Sequence, residues 1–252
     1  MWNKIQRIYV GTTKVRPELK WIPWADTIAY WELNGNWNDT KNNYWVTTYT
    51  TTNYNSDAVV WTAPTYNTTR NWKACAKFSG NGLLQLPNLP IASNHITMSL
   101  WYNKTWTNAG SIFQLKEDTA TDSWNRALIL VEQTSWIYVD VVMTRYSTGI
   151  SWQVEYVTSS KAVSANEWHN YVTTFNSWTL KFYVDWVLFD TKSNSSRPYI
   201  RNSSASPSYL WGGGRHFGGT SYNYINWCLQ DIIYENKVWS DQEVADYYNL
   251  TK

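Results

Sequence analysis

Apolar and polar residues alternate in short segments along most of the chain, and this period-2 pattern constrains the fold more than any other feature. Within His95–Tyr102, one face carries Ile96, Met98, Leu100 and Tyr102, and the other carries Thr97, Ser99 and Trp101. Turn-forming residues separate further segments of this kind about every 8–12 residues: Ser111–Leu115, Arg126–Glu132, Ile137–Met143, Ser151–Val157, His169–Phe175 and Thr179–Val184. The pattern predicts an all-β fold, a two-sheet antiparallel jelly-roll sandwich, and not alternating strands and helices.

One short helix is predicted at the C-terminal end of the sequence. Ser240 and Glu243 have the spacing of a capping box, in which the serine caps the helix and the glutamate reaches back to it. Val244, Tyr247 and Tyr248 then fall on one side of the helix.

Tryptophan is unusually abundant, and many of the 19 tryptophans stand where a turn normally requires glycine. Asp185-Trp186 joins two alternating segments, Leu180–Val184 and Val187–Asp190. A two-residue hairpin turn needs positive φ at its centre, which glycine adopts without strain and tryptophan does not. Glycine itself is scarce, with 11 residues, about 4% of the chain against a usual ~7%.

We hypothesise that UGA codons meaning glycine have been written here as tryptophan. Some bacterial lineages, and the phages that infect them, read UGA as glycine, whereas other variant codes read it as tryptophan. The candidates for native glycine are Trp37, Trp45, Trp61, Trp72, Trp106, Trp124, Trp136, Trp152, Trp178, Trp186 and Trp227, while Trp24, Trp101, Trp168 and Trp239 fit as true tryptophans. The alternative is a natural, tryptophan-rich sugar-binding surface.

Charge and hydropathy exclude two classes of partner. The formal net charge is +2, and lysine and arginine are scattered without a basic run, so neither nucleic acid nor a membrane surface is an expected partner. The first residues contain no apolar run of signal-peptide length, and no segment approaches the ~20 apolar residues of a membrane span.

The two cysteines, Cys75 and Cys228, each lie in an alternating apolar segment. Buried free thiols are the favoured interpretation. The alternative is one disulfide that ties two strands together in an oxidising compartment.

Five segments, in this order, resemble the laminin-G-like or concanavalin-A-like lectin jelly roll: IAYWELNGNWNDTKNNY, KACAKFSGNGLLQLP, ITMSLWYN, EWHNYVTTFNSWTLKFYVDWVLFDT and INWCLQDIIYENKVWSDQEVADYYN. Each motif is weak alone, but their order is a strong indication of the fold. The resemblance implies a jelly-roll domain over residues 27–252, after a separate leader over residues 1–26. The departures from the family pattern fall mainly on glycines, nearly all of which are tryptophan here.

The leader segment IQRIYVGTTKVRP resembles the opening of phage and prophage virion proteins, often tail or fibre components. The resemblance implies that residues 1–26 dock onto neighbouring virion proteins. It also implies a location on a virion or an extracellular surface.

Catalysis is not expected, although glycoside hydrolases share this fold. Those enzymes need two carboxylates flanking the scissile bond, commonly in an E-x-D-x-E strand pattern. The sequence has no such pattern, and Glu132, Asp140, Glu155 and Asp185 are isolated. His95, His169 and His216 do not belong to a recognised nucleophile motif.

The family resemblance implies a possible calcium ion at the edge of the sandwich, since hard oxygen ligands suit Ca²⁺. Asp39 in the opening loop and Asp231 on the final strand match the family's acidic positions. The alternative is that Asp39 stabilises its own turn and that Asp231 is a solvated strand residue.

Sugar binding needs a planar aromatic ring beside polar side chains. Such a patch is predicted around the glycine-rich residues 212–219, formed by Tyr209, Trp211, Arg215, His216 and Tyr222. The leading functional hypothesis is a non-catalytic binding or adhesion module whose partner is a glycan or another host-surface ligand. The alternatives are a purely structural virion or surface subunit and, less favoured, a glycoside hydrolase.

Overall fold

The computed structural model describes the backbone of a series of segments that cover both sheets of the fold. These are residues 9–10, 13–14, 26–36, 41, 47–48, 51–54, 57–60, 65–78, 82–86, 92–93, 95–104, 110–116, 126–132, 139–145, 153–158, 163–176, 179–193, 200–201, 208–212 and 227–252.

The described segments form 21 strands and one helix. The strands are β1 (Tyr9–Val10), β2 (Thr13–Lys14), β3 (Thr27–Trp31), β4 (Thr47–Thr48), β5 (Thr51–Tyr54), β6 (Asp57–Val60), β7 (Thr65–Arg70), β8 (Lys73–Phe78), β9 (Gly82–Leu86), β10 (Ala92–Ser93), β11 (His95–Lys104), β12 (Gly110–Lys116), β13 (Arg126–Glu132), β14 (Val139–Arg145), β15 (Gln153–Thr158), β16 (Trp168–Asn176), β17 (Thr179–Val184), β18 (Val187–Ser193), β19 (Ile200–Arg201), β20 (Ser208–Gly212) and β21 (Trp227–Glu235). The helix α1 spans Asp241–Thr251.

Two large antiparallel sheets make up the sandwich. The eight-stranded sheet runs β18-β17-β16-β11-β21-β8-β7, with β3 also paired to β21, and the seven-stranded sheet runs β15-β14-β13-β12-β20-β9-β4. The antiparallel β-sandwich with one C-terminal helix confirms the predicted fold class. In the described part of the leader, β1 and β2 pair only with each other, and β3 begins at Thr27. The proposed boundary after residue 26 stays a prediction.

The core lies on the inner face of the eight-stranded sheet, as the alternation predicts. Ile96, Met98, Leu100 and Tyr102 of β11 all belong to one cluster of buried apolar residues. Trp227 of β21 joins the same cluster, edge to face with Tyr102 at 5.6 Å between ring centroids.

The outer face of this sheet is also buried, which the alternation alone does not predict. Helix α1 packs Val244 and Tyr247 against residues of β3, β16 and β21, in a second cluster that contains Tyr30, Val172, Tyr183, Ile233 and Trp239. Polar residues of the outer face are buried with them; Thr97, for example, donates a hydrogen bond to the Lys237 carbonyl at 2.6 Å. In the described part of the chain, no helix is long and apolar enough to cross a membrane.

The predicted capping box begins helix α1. The Glu243 backbone N–H donates to Ser240 Oγ at 3.2 Å, and the Ser240 backbone N–H donates to Glu243 Oε2 at 2.8 Å. Lys237 makes an ion pair with the same glutamate. The first turn of the helix is therefore fixed by these contacts, and the residues that pack on the sheet follow it in sequence.

Replacing Ser240 with alanine is expected to destabilise the protein by about 1 kcal/mol, because the N-terminal amides of α1 lose their acceptor. Urea unfolding measures the effect, with Ser240→Thr as the matched control that keeps the hydroxyl. If Ser240→Ala and Ser240→Thr unfold at the same urea concentration, the capping box contributes nothing.

Candidate functional site

The seven-stranded sheet carries the predicted aromatic residue Tyr209 on a row of polar positions. Tyr209 of β20 lies in register with Gln114 of β12 on one side and with Gln85 of β9 on the other. Residues directly opposite each other in an antiparallel pair share one face of the sheet. The three residues therefore occupy one face, on three neighbouring strands of the sheet.

The next row along these strands is apolar and belongs to the opposite face. Leu210 lies in register with Phe113 and Leu84. Leu210 and Tyr209 are consecutive residues of β20, so the two rows lie on opposite faces of the sheet. Tyr209, Gln85 and Gln114 therefore form one row, on the face opposite the row of Leu210.

Trp211 shares the face of Tyr209, because it lies two residues further along β20 and faces alternate in a strand. Its register partner is Leu83 on β9. The remaining predicted ligand-binding residues, Arg215, His216 and Tyr222, lie outside the described residues, so their participation stays a prediction.

Sequence reasoning missed Gln85 and Gln114, although a signal for both was present. In β9 and β12, each glutamine is flanked by apolar residues, as Leu84 and Leu86 flank Gln85. That local alternation predicts that each glutamine lies on the face opposite its apolar neighbours. What the sequence did not contain is the pairing that brings both amides beside Tyr209.

Asp231, predicted as a calcium ligand, lies in a buried ion pair. Arg70 of β7 donates to Asp231 Oδ2, and Tyr30 Oη donates to Asp231 Oδ1 at 2.9 Å. Only 5% of Asp231 is exposed, so the alternative of a solvated strand residue is wrong. Burial raises the pKa of Asp231 above its ordinary value, and the Arg70 guanidinium opposes that rise.

Arg70 connects this ion pair to the end of helix α1. Its Nε donates to Gln230 Oε1 and its Nη1 to the Thr251 carbonyl, each at 2.6 Å. The guanidinium lies 4.1 Å from the centroid of the Trp101 ring, which stacks on Tyr248. The network explains why the outer face tolerates a buried charge, because each of the three guanidinium nitrogens of Arg70 has an acceptor.

In the described geometry, Asp231 is engaged in hydrogen bonds and an ion pair. Both of its carboxylate oxygens already accept hydrogen bonds, and Arg70 supplies the compensating positive charge. Asp39 lies outside the described residues. Within the part of the chain that the structure describes, no group of three or more His, Cys, Asp or Glu side chains is arranged to hold a metal ion. Calcium binding stays a prediction.

A second polar cluster joins the loop before β16 to the turn between β17 and β18. His169 Nδ1 lies 2.6 Å from Asp185 Oδ2, and its Nε2 lies 2.9 Å from Ser164 Oγ. Ser164 Oγ is also 2.5 Å from Glu167 Oε2. Asp185 is fixed in turn by the Asn170 backbone N–H, which donates to Oδ1 at 2.9 Å.

This Ser-His-Asp order resembles a nucleophilic triad, but Glu167 changes its chemistry. A nucleophilic serine must give its proton to the imidazole. The Ser164 hydroxyl donates its one proton to Glu167 Oε2. The Ser164 proton is therefore directed to Glu167 and not to His169, and the cluster links the loop to the hairpin turn.

Two candidate glycine positions show the backbone conformation that favours glycine. Asn71 and Trp72 have φ of 49° and 66°, and Asp185 and Trp186 have φ of 50° and 67°. Each pair links two strands by a two-residue turn with positive φ at both central residues, as in type I′ hairpins. Trp72 is 100% exposed and Trp186 is 51% exposed, so packing does not compensate for the strain.

Trp227 differs from these two positions. It is fully buried in the core beside Phe78 and Tyr102, and its φ is not positive. The conformational argument for a native glycine therefore does not apply to Trp227. The other eight candidates, Trp37, Trp45, Trp61, Trp106, Trp124, Trp136, Trp152 and Trp178, lie outside the described residues, and the recoding hypothesis stays a prediction for them.

Comparison with known protein families gives one match. The model of the concanavalin A-like lectin/glucanases superfamily matches residues 78–245, which is more than half of the chain. No curated protein matches the sequence.

Several solved structures have the same fold at low sequence identity. Domain 4 of AbnA, an extracellular GH43 arabinanase from Geobacillus stearothermophilus solved with arabinotriose, is 14% identical with a TM-score of 0.62, over 90% of this chain and 98% of that one. The ligand-binding domain of botulinum neurotoxin serotype D, solved with N-acetylneuraminic acid, is 12% identical with a TM-score of 0.62, over 89% and 50% of the two chains.

A third structure, from botulinum neurotoxin type C, comes from work describing cell entry that depends on two ganglioside molecules. It is 13% identical with a TM-score of 0.63, over 90% of this chain and 51% of that one. This chain thus spans about half the length of the two neurotoxin domains, and the similarity in all three cases shows the fold.

Proposed function

We propose that this chain, which belongs to the concanavalin A-like lectin/glucanases superfamily, is a non-catalytic module that binds carbohydrate on the open face of its seven-stranded sheet. The observation that carries the proposal is the row formed by Gln85, Tyr209 and Gln114 on three neighbouring strands. An aromatic ring offers the apolar face of a sugar a stacking surface. The two amides offer donors and acceptors for its hydroxyl groups.

The structural relatives support this class of ligand. Two of them were solved with arabinotriose and N-acetylneuraminic acid, and the third interacts with gangliosides, all of which contain sugars. The row does not depend on any residue suspected of being a native glycine. The proposal therefore holds whether position 186 is tryptophan or glycine.

Non-catalysis is part of the proposal. Hydrolysis of a glycosidic bond needs two carboxyl groups about 5–10 Å apart on either side of it. The row from Thr47 through Gln85, Tyr209 and Gln114 to Ile129 carries no carboxylate. In the described cluster at Ser164, the serine hydroxyl donates to Glu167 and not to a general base, which supports a non-catalytic role.

Replacing Tyr209 with alanine is expected to weaken glycan binding at least about tenfold, which corresponds to ~1.4 kcal/mol. A glycan array that includes arabinan oligosaccharides and sialylated glycans identifies the ligand, and calorimetry with that ligand measures the loss. Tyr209→Phe keeps the ring and is expected to bind nearly as well. Trp72→Ala removes an exposed aromatic from the other sheet and serves as the matched control.

Two outcomes would contradict the proposal. If Tyr209→Ala binds as tightly as the parent chain while Trp72→Ala does not, the ligand lies elsewhere. If mass spectrometry finds the bound oligosaccharide cleaved, the module is an enzyme.

The biological setting we propose is a virion or an extracellular surface, with residues 1–26 docking onto neighbouring virion proteins. One observation favours an independent docking element: in the described part of the leader, the β1–β2 hairpin pairs with neither large sheet. A purely structural virion subunit is the second candidate function. An array without any bound glycan favours that second candidate.

A further inference from the structure

A pocket of about 400 Å³ lies between the outer face of the eight-stranded sheet and the segment that leads into helix α1. On this face, the helix covers the row formed by Val172 and Tyr183, and the pocket occupies the rows beyond it, where the helix begins. The volume is within the ~300–1,000 Å³ that is typical of small-molecule sites. The pocket is separate from the Gln85–Tyr209–Gln114 row, which belongs to the other sheet.

Two cross-strand pairs of polar residues form the floor of the pocket. Thr174 of β16 lies in register with Lys181 of β17, and Asn176 lies in register with Thr179. Residues in register share one face of the sheet. Asn176 Oδ1 accepts a hydrogen bond from the Thr179 backbone N–H at 2.9 Å, which fixes the orientation of the amide. The floor thus carries two hydroxyl groups, one amide and one ammonium group.

The wall of the pocket includes Val238 and the first residues of the helix, Ser240 and Asp241. Asp241 Oδ1 accepts hydrogen bonds from Lys181 Nζ and from Tyr183 Oη, each at 2.7 Å. These two donors lower the pKa of Asp241, so its carboxyl group is ionised at neutral pH. The Asp241 side chain is 66% exposed, and its carboxylate is therefore within reach of a ligand.

The chemistry of the lining favours a neutral ligand that is rich in hydroxyl groups. Among the described lining residues, Lys181 and Asp241 are the charged ones, and their charges cancel. A hydroxyl group of a sugar can accept a hydrogen bond from an ammonium group and donate one to a carboxylate, and bonds to charged groups are the stronger ones. Val238 offers an apolar contact to the C–H groups of a sugar ring.

We propose that this pocket is a second carbohydrate-binding site, which takes one neutral monosaccharide unit and holds its hydroxyl groups at the Lys181–Asp241 pair. The site does not depend on the row at Tyr209, because the two lie on different sheets. Binding is non-covalent. The two cysteines are free and buried, which confirms the favoured interpretation of the sequence, and neither lines the pocket.

Titration of the full chain with methyl α-glycosides of glucose, galactose and mannose, followed by the backbone amide NMR spectrum, tests the proposal. Concentrations up to roughly 50 mM detect a Kd of about 1 mM. At least one glycoside is expected to shift the amide signals of Thr179, Lys181 and Asp241. Lys181→Met and Asp241→Asn are each expected to weaken this binding at least about tenfold, because each removes a hydrogen bond to a charged group.

Two further variants separate loss of the site from loss of the fold. Lys192→Met removes an exposed lysine of β18 that does not line the pocket, and it is expected to bind like the parent chain. Thr179→Tyr fills the pocket but keeps the Lys181–Asp241 pair, and it is expected to abolish the shifts. Urea unfolding of each variant verifies that it is folded. The proposal is overturned if none of the three glycosides shifts the pocket amides, or if Lys181→Met, Asp241→Asn and Thr179→Tyr bind as tightly as the parent.

Tyr209→Ala distinguishes this site from the proposed site on the seven-stranded sheet. The shifts of the pocket amides are expected to persist in Tyr209→Ala with an unchanged Kd. If they disappear in Tyr209→Ala and remain in Lys181→Met, the sugar binds at the row of Tyr209 alone. That result would overturn the second site and leave the proposed function intact.

Discussion

A variant with glycine at both position 72 and position 186 is expected to be more stable than the chain as written, by about 1–4 kcal/mol in total. Holding a non-glycine residue at positive φ costs roughly 1–3 kcal/mol. Glycine also makes the unfolded chain more flexible, and this added entropy reduces the gain in stability by about 0.4–1 kcal/mol per site. Both indoles are largely exposed, so their removal sacrifices little packing.

The matched control is alanine at the same two positions. Trp72→Ala/Trp186→Ala removes the same exposed rings but keeps a Cβ at φ of 66° and 67°. The glycine variant is expected to melt several degrees above the alanine variant, since 1 kcal/mol shifts Tm by roughly 2–4 °C in a domain of this size. Equal melting temperatures would show that positive φ is not strained here, and the recoding hypothesis would lose its structural support.

Trp227→Gly is expected to lower the free energy of unfolding, whereas glycine at positions 72 and 186 raises it. The indole is fully buried against Phe78 and Tyr102, so its loss leaves a cavity costing roughly 3–5 kcal/mol. A stabilised Trp227→Gly variant would mean that the tryptophan is accommodated only by distortion of the core.

Replacing Arg70 with methionine is expected to destabilise the protein by about 3–5 kcal/mol near neutral pH, because the carboxylate of Asp231 is left buried and unpaired. Methionine has a similar length and no charge, so the change isolates the lost ion pair and hydrogen bonds. Urea unfolding of parent and variant at the same pH measures the difference in free energy of unfolding.

The penalty is expected to shrink as the pH falls. Burial raises the pKa of Asp231 in the folded chain above the ordinary 3.8, and removing Arg70 raises it further. A carboxyl with a raised folded-state pKa contributes stability below the unfolded-state value, and this contribution is lost as the pH rises through the folded-state pKa. The difference between parent and variant is therefore largest at neutral pH and smallest near about pH 4.

Neutralising the partner provides the control. Arg70→Met/Asp231→Asn carries no buried charge and is expected to recover part of the lost stability at neutral pH. If Arg70→Met is destabilised equally at both pH values, the effect comes from lost packing and not from the uncompensated carboxylate.

Local features of the fold were predictable because they depend on neighbouring residues. The alternation in His95–Tyr102 predicts β11, and the spacing of Ser240 and Glu243 predicts the first turn of α1. Asp185-Trp186 likewise predicts a two-residue turn, because the length of the loop between two strands determines the positive φ that such a turn requires.

Features that depend on pairing were not predictable. The buried ion pair of Asp231 was not predicted, because nothing near it in sequence indicates that α1 covers its face or that Arg70, 161 residues away, contacts it. The same limit applies to the candidate site. Tyr209 was identified by its aromatic ring, but Gln85 and Gln114 become its neighbours only through strand register.

The pairing of β3 with β21 has a consequence for synthesis of the chain. Ile232 lies in register with Trp31, so the opening strand of the sandwich is completed only by a strand near the C-terminus. β21 also separates β8 from β11 in the eight-stranded sheet. A nascent chain that has not yet exposed β21 from the ribosome lacks the strand that joins the two halves of its largest sheet. The eight-stranded sheet therefore cannot be completed until β21 has been synthesised and has left the ribosome. Long-range β pairing of this kind then takes roughly milliseconds to seconds.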